Sequence, residues 1–423
     1  MLSVSPKSMF VVVAKTIIAL LCTFVVGGLV WYQASILPWL QRQNPRLVLL
    51  GAWMMARILP FVVIFIVLDF TPFSDLDGFF NQAKEAVQLK MVYRDFYCMY
   101  SPFFPYINGL ALWFWLDKKA IILLMILIEG LTLWTTNRFY EPVVEAYERL
   151  YRSLIYLFLP GALVLCVFGG QEDEWMWLVL IATYLLWQGT RQVALVGVGL
   201  VIGFLLTKAV FILVGPALLL LIPKPLKWLS AAVIFGLLCL GVLYHYTEWE
   251  WLEQPLNEAA TLRAPNWLSV LNPLTFDVLG AGAKAWNWLG LLLTTGIGAL
   301  TAYRLRNLDF RLSFSAAFVM IFGTMMVAQQ SAYSNYIFIF LLPLTFIWVD
   351  FRNRREVIWF LIFNALSIVQ PSLWWRLKSP YYRVPSDIWA QPLYLLDYAM
   401  QIGVVICTFY FLRMVWQKSL RLV

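Results

Sequence analysis

VALVGVGLVIGFLLTKAVFILVGPALLLLI, residues 193–222, carries a single charged side chain, Lys208. A membrane-spanning helix needs about 20 apolar residues, so this run is too long for one span. It also holds Gly203, Gly215 and Pro216, which weaken or break a helix. The run therefore reads as two short helices meeting at a break. Irregular backbone at membrane depth is tolerated only where protein or water satisfies it. A lysine inside such a segment is costly and by default marks a functional site; snorkelling of its ammonium to the surface is the competing explanation.

The rest of the chain has the same character. Apolar runs at 10–32, 47–68, 120–136, 153–168, 175–189, 228–244, 286–303, 312–328, 335–349, 356–371 and 395–412 read as spans. The 423 residues are 62% hydrophobic and 13% charged, with a mean hydropathy of +0.77. Soluble domains carry about 45–50% apolar and about 25% charged residues. The departure excludes disorder and an ordinary soluble enzyme. It predicts an all-α integral membrane protein, one polytopic domain over 1–423, with a bundle of about 11–13 transmembrane helices. Residues 10–32 lack a small-residue cleavage site and read as a retained span.

The net charge of +8 does not call for a nucleic-acid partner, because Lys and Arg collect in the short cytoplasmic loops of polytopic proteins. Loops 41–46, 304–311, 351–355 and 413–421 are short and basic, hence expected cytoplasmic. Segments 70–119, 169–174, 245–285 and 372–394 then fall outside, with the amino end outside and the carboxyl end inside. The five cysteines form no CxxC pair, and with the single His245 they build no zinc site.

Acids accumulate on the expected outer side, and acids contribute little to topology. Most solvate loops. Three stretches deserve a chemical reading. In SDLDGFFNQAKEAV (74–87), apolar residues recur at three-to-four-residue spacing, as in an amphipathic helix lying in the interface. Asp75 and Asp77 at its start suit a general base at the membrane edge; a capping role for Ser74 with Asp77 is the structural alternative. VYRDFYCMYSPFFPYI (92–107) combines turn-forming prolines with interfacial aromatics. FGGQEDE (168–174) packs three acids into a turn that needs only its glycines, although an acid there also caps a helix. Arg57 and Glu129, within apolar runs, are candidate members of an internal ion pair. A second amphipathic stretch is expected over 137–152.

On these stretches the chain resembles the GT-C superfamily of polyprenyl-phosphate-sugar-dependent glycosyltransferases. The resembling branches are the glycosylphosphatidylinositol mannosyltransferase I family and bacterial polyprenol-phosphate-mannose-dependent transferases. Asp75-Leu76-Asp77 matches the acidic motif of their first outer loop. Tyr93 and Tyr97-Cys98-Met99-Tyr100-Ser101-Pro102 match a Tyr-rich stretch ending in proline, and Gly170-Gln171-Glu172-Asp173 matches a Gly-(Gln/Asn)-x-(Glu/Asp) turn. A Lys-x-x-Pro element is matched by Lys208 alone, with Phe211 where proline is expected. The resemblance covers 70–222.

The resemblance implies a GT-C-like fold with amphipathic in-plane helices in the first outer loop, 99–116 being the second of them. It implies transfer of a hexose, mannose first, from a polyprenyl-phosphate donor to a hydroxyl of a glycan or lipid acceptor. Asp75 would be the base, with Asp77 supporting. Tyr93, Tyr100, Gln171, Glu172 and Asp173 would bind sugar or acceptor. Lys208 with Arg376, Lys378 or Arg383 would hold the donor phosphate through charge-assisted bonds. A divalent cation on the carboxylates is left open, with no other cofactor expected. The setting implied is a bacterial inner membrane, with the endoplasmic reticulum as alternative. A lipid-linked-sugar flippase or transporter, and a polysaccharide polymerase or ligase, are the rival readings.

Overall fold

The computed structural model describes residues 6–72, 75–281 and 283–422. Among the described residues every extended regular element is a helix, and β-pairing is limited to an isolated bridge between Val92 and Phe96. A helix satisfies its backbone groups within one segment, which lipid requires. Among the described residues seven helices are long and apolar enough to cross a membrane: Met9–Trp31, Pro45–Val67, Lys118–Phe139, Pro225–Thr247, Phe310–Ala328, Arg354–Arg376 and Pro392–Leu420. Ala146–Phe158 and Pro160–Phe168 form a bent pair, at 60°, that makes an eighth if it is one span. The protein is a multi-pass helical membrane protein.

Seven or eight such helices fall short of the eleven to thirteen expected, for local reasons. Trp175–Thr190 has only 16 residues. Run 335–349 folds as Ser334–Trp348, an apolar helix of fewer than 18 residues with Pro343 and a π-turn, Leu344–Trp348, inside it. Ala283–Leu305 is long enough, but Asn287, Thr294, Thr295 and Thr301 make it more polar. The expected amphipathic stretch 137–152 is divided: Lys118–Phe139 ends, a turn holds Pro142, and Ala146–Phe158 begins. Proline has no N–H to continue a helix.

The chain divides into two compact units. The first comprises Met1–Arg42, Leu154–Val164 and Glu258–Val423. In it Phe310–Ala328 packs against Ala283–Leu305 and Pro392–Leu420, and Arg354–Arg376 joins Pro392–Leu420 to Pro6–Trp31. Glu356 ties one end together, accepting from Lys418 Nζ at 2.6 Å and from the Asp350 N–H at 2.9 Å. At the start of Pro392–Leu420, Asp397 accepts from Gln370 Nε2 at 3.1 Å, Gln401 Nε2 at 2.7 Å and the Tyr382 hydroxyl at 3.0 Å.

The second unit comprises Gln43–Ser153 and Leu165–Asn257. Lys118–Phe139 packs on Trp175–Thr190, that helix on Ala194–Leu206, and Ala194–Leu206 on Pro225–Thr247. The last contact depends on Gly197, where a Cβ would stand 1.9 Å from the Trp228 carbonyl oxygen. Small residues let membrane helices approach this closely. The amphipathic helix Leu76–Val87 buries Leu76, Phe79, Ala83 and Ala86, and it packs on Phe104–Phe114 and Lys118–Phe139. The expected helix start at Ser74 lies outside the described residues.

Candidate functional site

The site belongs to the second unit and begins with the glycine turn. Gly170 has φ +58°, a left-handed conformation that side chains disfavour. That conformation lets the chain double back, with the Gln171 N–H donating to the Leu165 carbonyl at 2.9 Å. Leu76, fully buried, fills the space above it: a Cβ on Gly170 would lie 2.7 Å from Leu76 Cδ2. The middle residue of Asp75-Leu76-Asp77 thus anchors the amphipathic helix to the turn. The two acids diverge from that anchor.

Asp75 occupies the N-cap position without making a side-chain cap bond. It is exposed, and Gln171 Nε2 donates to its Oδ2 at 3.0 Å. Asp77 turns away and pairs with Lys118. The motif therefore splits into one carboxylate held at the turn and one that ties the amphipathic helix to Lys118–Phe139.

Lys208 lies at the break in the 193–222 run, in extended backbone between Ala194–Leu206 and the 3-10 turn Ala209–Val214. The break comes before Gly215 and Pro216 because Pro216 opens the helix Gly215–Leu221, where its missing N–H costs nothing. Lys208 Nζ bonds Asp173 and lies 3.0 Å from Glu172 Oε1. It also stands 5.9 Å from the centre of the Tyr100 ring. The Glu172 and Asp173 side chains are 1% and 0% exposed, against 19% for Lys208. The two acids are thus buried against a lysine that is itself partly exposed.

Burial pushes the Glu172 carboxyl up to about 7; Lys208 opposes that shift and the Asp173 charge adds to it. Tyr100 is wedged between Phe104, stacked at 4.6 Å, and the edge of Phe79 at 4.9 Å. Burial, with Glu172 and Asp75 nearby, raises its hydroxyl well above the ordinary tyrosine range. The Tyr93 hydroxyl donates to the Tyr100 carbonyl and so supports that segment.

Asp75, Gln171, Glu172, Asp173, Lys208 and Tyr100 are therefore brought together. Arg376, Lys378 and Arg383 belong to the first unit. There Arg376 ends its helix, Lys378 follows in left-handed backbone, and Arg383 stands 3.8 Å from Asp277. Among the described residues no three His, Cys, Asp or Glu side chains are arranged to hold a metal ion.

Also in the second unit, Arg57 and Glu129, each a candidate for an internal ion pair, pair with each other. Arg57 Nη2 and Nε donate to Glu129 Oε1 at 2.7 and 3.1 Å, and both side chains are fully buried. Glu174 is likewise buried, and the sequence reading gave it no role. Its signal was present: it is the third acid of a turn that needs none. Asp397 was passed over too, although an acid inside the apolar run 395–412 is costly enough to mark a site.

No family model, curated protein or solved structure matches the chain.

Proposed function

We propose that the protein is a membrane glycosyltransferase of the GT-C type. It moves a hexose, mannose by resemblance, from a polyprenyl-phosphate donor to an acceptor hydroxyl at the outer membrane face. The observation that carries this reading is one cluster holding an exposed carboxylate, Asp75, oriented by Gln171, beside a partly exposed cation, Lys208, backed by Glu172 and Asp173.

The chemistry suits those parts. Asp75 accepts the acceptor's hydroxyl proton as the oxygen attacks the anomeric carbon. The bond from that carbon to the phosphate oxygen breaks, and polyprenyl phosphate leaves with the bonding pair. Lys208 meets the charge that grows on the phosphate. The neutral Tyr100 hydroxyl donates to a sugar oxygen. Asp77, paired with Lys118, holds the amphipathic helix in register and does not touch substrate.

A second reading, a flippase for lipid-linked sugar, draws on the buried Arg57–Glu129 pair, since ionisable residues inside membrane segments commonly mark transport pathways. Purified protein in liposomes, given a labelled polyprenyl-phosphate hexose and an acceptor panel, separates the two. Label covalently attached to an acceptor supports transfer. Label moved across the bilayer with the donor intact supports transport.

A further inference from the structure

Four carboxyl groups of the second unit share one buried region with two cations. Glu129 is bonded by Arg57, while Glu172 and Asp173 face Lys208. Glu174, fully buried, is the fourth, and among the described residues neither of its oxygens has a hydrogen-bond partner. It lies within electrostatic reach of Glu129 on the helix Lys118–Phe139 and of its chain neighbours Asp173 and Glu172. Cys166, ahead of the turn, is in reach of Glu174, Glu129 and Arg57.

Fully ionised, these groups would hold twice as many negative as positive charges where burial heavily penalises an unpaired ion. Something must offset the surplus at Glu174, whose oxygens expose almost no surface. A metal ion needs several converging ligands, and an ammonium needs room and acceptors. No trio of potential ligands among the described residues is so arranged. A proton needs neither room nor further ligands.

We propose that Glu174 is a resident proton-binding site, a neutral carboxyl at neutral pH, and that Glu172 is the neighbouring carboxyl that takes up a further proton when the Lys208 charge is withdrawn. Burial raises Glu174 well above the carboxylate range; its own backbone N–H opposes the shift, and the charges of Glu129, Asp173 and Glu172 add to it. Glu172 differs in having a cation 3.0 Å away, so it exchanges its proton near neutral pH with Lys208 in place and holds it more tightly without it. The cluster thus changes its charge at Glu172 while Glu174 stays neutral.

Infrared spectroscopy of the full-length protein in detergent tests this without any donor or acceptor. At about pH 8, where Glu172 beside Lys208 is mostly ionised, the protein should show a buried protonated-carboxyl carbonyl band that Glu174→Gln removes with little change in Tm. No such band, or one unchanged in the variant, overturns the proposal. If Glu174→Gln does not fold, the native band decides: persistence to pH 8 supports a resident proton, and loss before pH 8 overturns it. Lys208→Met should add a second band that Glu172→Gln removes in that background; no added band overturns the role given to Glu172.

Discussion

Leu76 packs directly over Gly170, its Cδ2 2.7 Å from the position a Cβ there would occupy. This contact sets where Asp75, the residue before Leu76, meets Gln171, the residue after Gly170. Gly170→Ala adds a methyl group into that space and forces alanine into left-handed backbone, which alone costs about 1–2 kcal/mol. The variant should unfold at lower temperature in detergent, and Leu76→Ala in the same chain should relieve only the steric part. An unchanged Tm for Gly170→Ala would mean the contact does not hold the helix to the turn.

The Arg57–Glu129 pair should be costly to break and cheap to replace. Glu129→Gln strands a buried guanidinium, a loss of about 3–5 kcal/mol, whereas replacing both partners with apolar residues of similar size is often neutral. Denaturant unfolding should therefore rank Glu129→Gln well below the double variant Arg57→Met, Glu129→Leu. If the double variant also loses transfer activity, the pair has a role beyond stability.

Glu172 predicts a pH dependence. Its carboxyl rises from an ordinary 4.5 to about 7, so the folded protein binds that proton more tightly than the unfolded chain. The stability it contributes is fully present below about pH 4.5 and is lost as pH rises through about 7. Tm should fall from pH 5 to 8 in the native protein and fall less in Glu172→Gln. Equal slopes would place Glu172 in an environment without that shift.

The basic loops predict a topology in which the turn 169–174 is outside, and the Lys208–Asp173 contact brings the break at 207–208 to that turn. Cysteines introduced at Gln88 and Lys227, both exposed, should react from opposite sides, Gln88 from outside. Four of the five native cysteines are buried and the fifth is partly so, which keeps background labelling low. Labelling of both sites from one side would overturn the orientation.

Lys208 was legible because one charge in a long apolar run has few structural explanations. The place of the break was not, because Pro216 is tolerated at a helix start and so does not mark an end. Glu172 and Asp173 stood out as surplus acids in a short turn. Their burial behind Lys208 is a long-range fact that local sequence does not carry. Fewer long apolar helices form than the hydropathy runs suggest, because some runs fold as shorter helices, as in Ser334–Trp348. Asp75 and Asp77 look equivalent in sequence and differ only through their partners, Gln171 and Lys118.

That difference supplies the most direct measurement: transfer from a polyprenyl-phosphate hexose by purified Asp75→Asn and Asp77→Asn, with donor binding followed in parallel. Loss of a general base typically costs about 10²–10⁴ in rate. Asp75→Asn should lose that much while still folding and binding donor, and Asp77→Asn, which loses an exposed ion pair worth about 0–1 kcal/mol, should keep most of its turnover. Near-normal turnover by Asp75→Asn, or no transfer by the native protein from any such donor, would contradict the account.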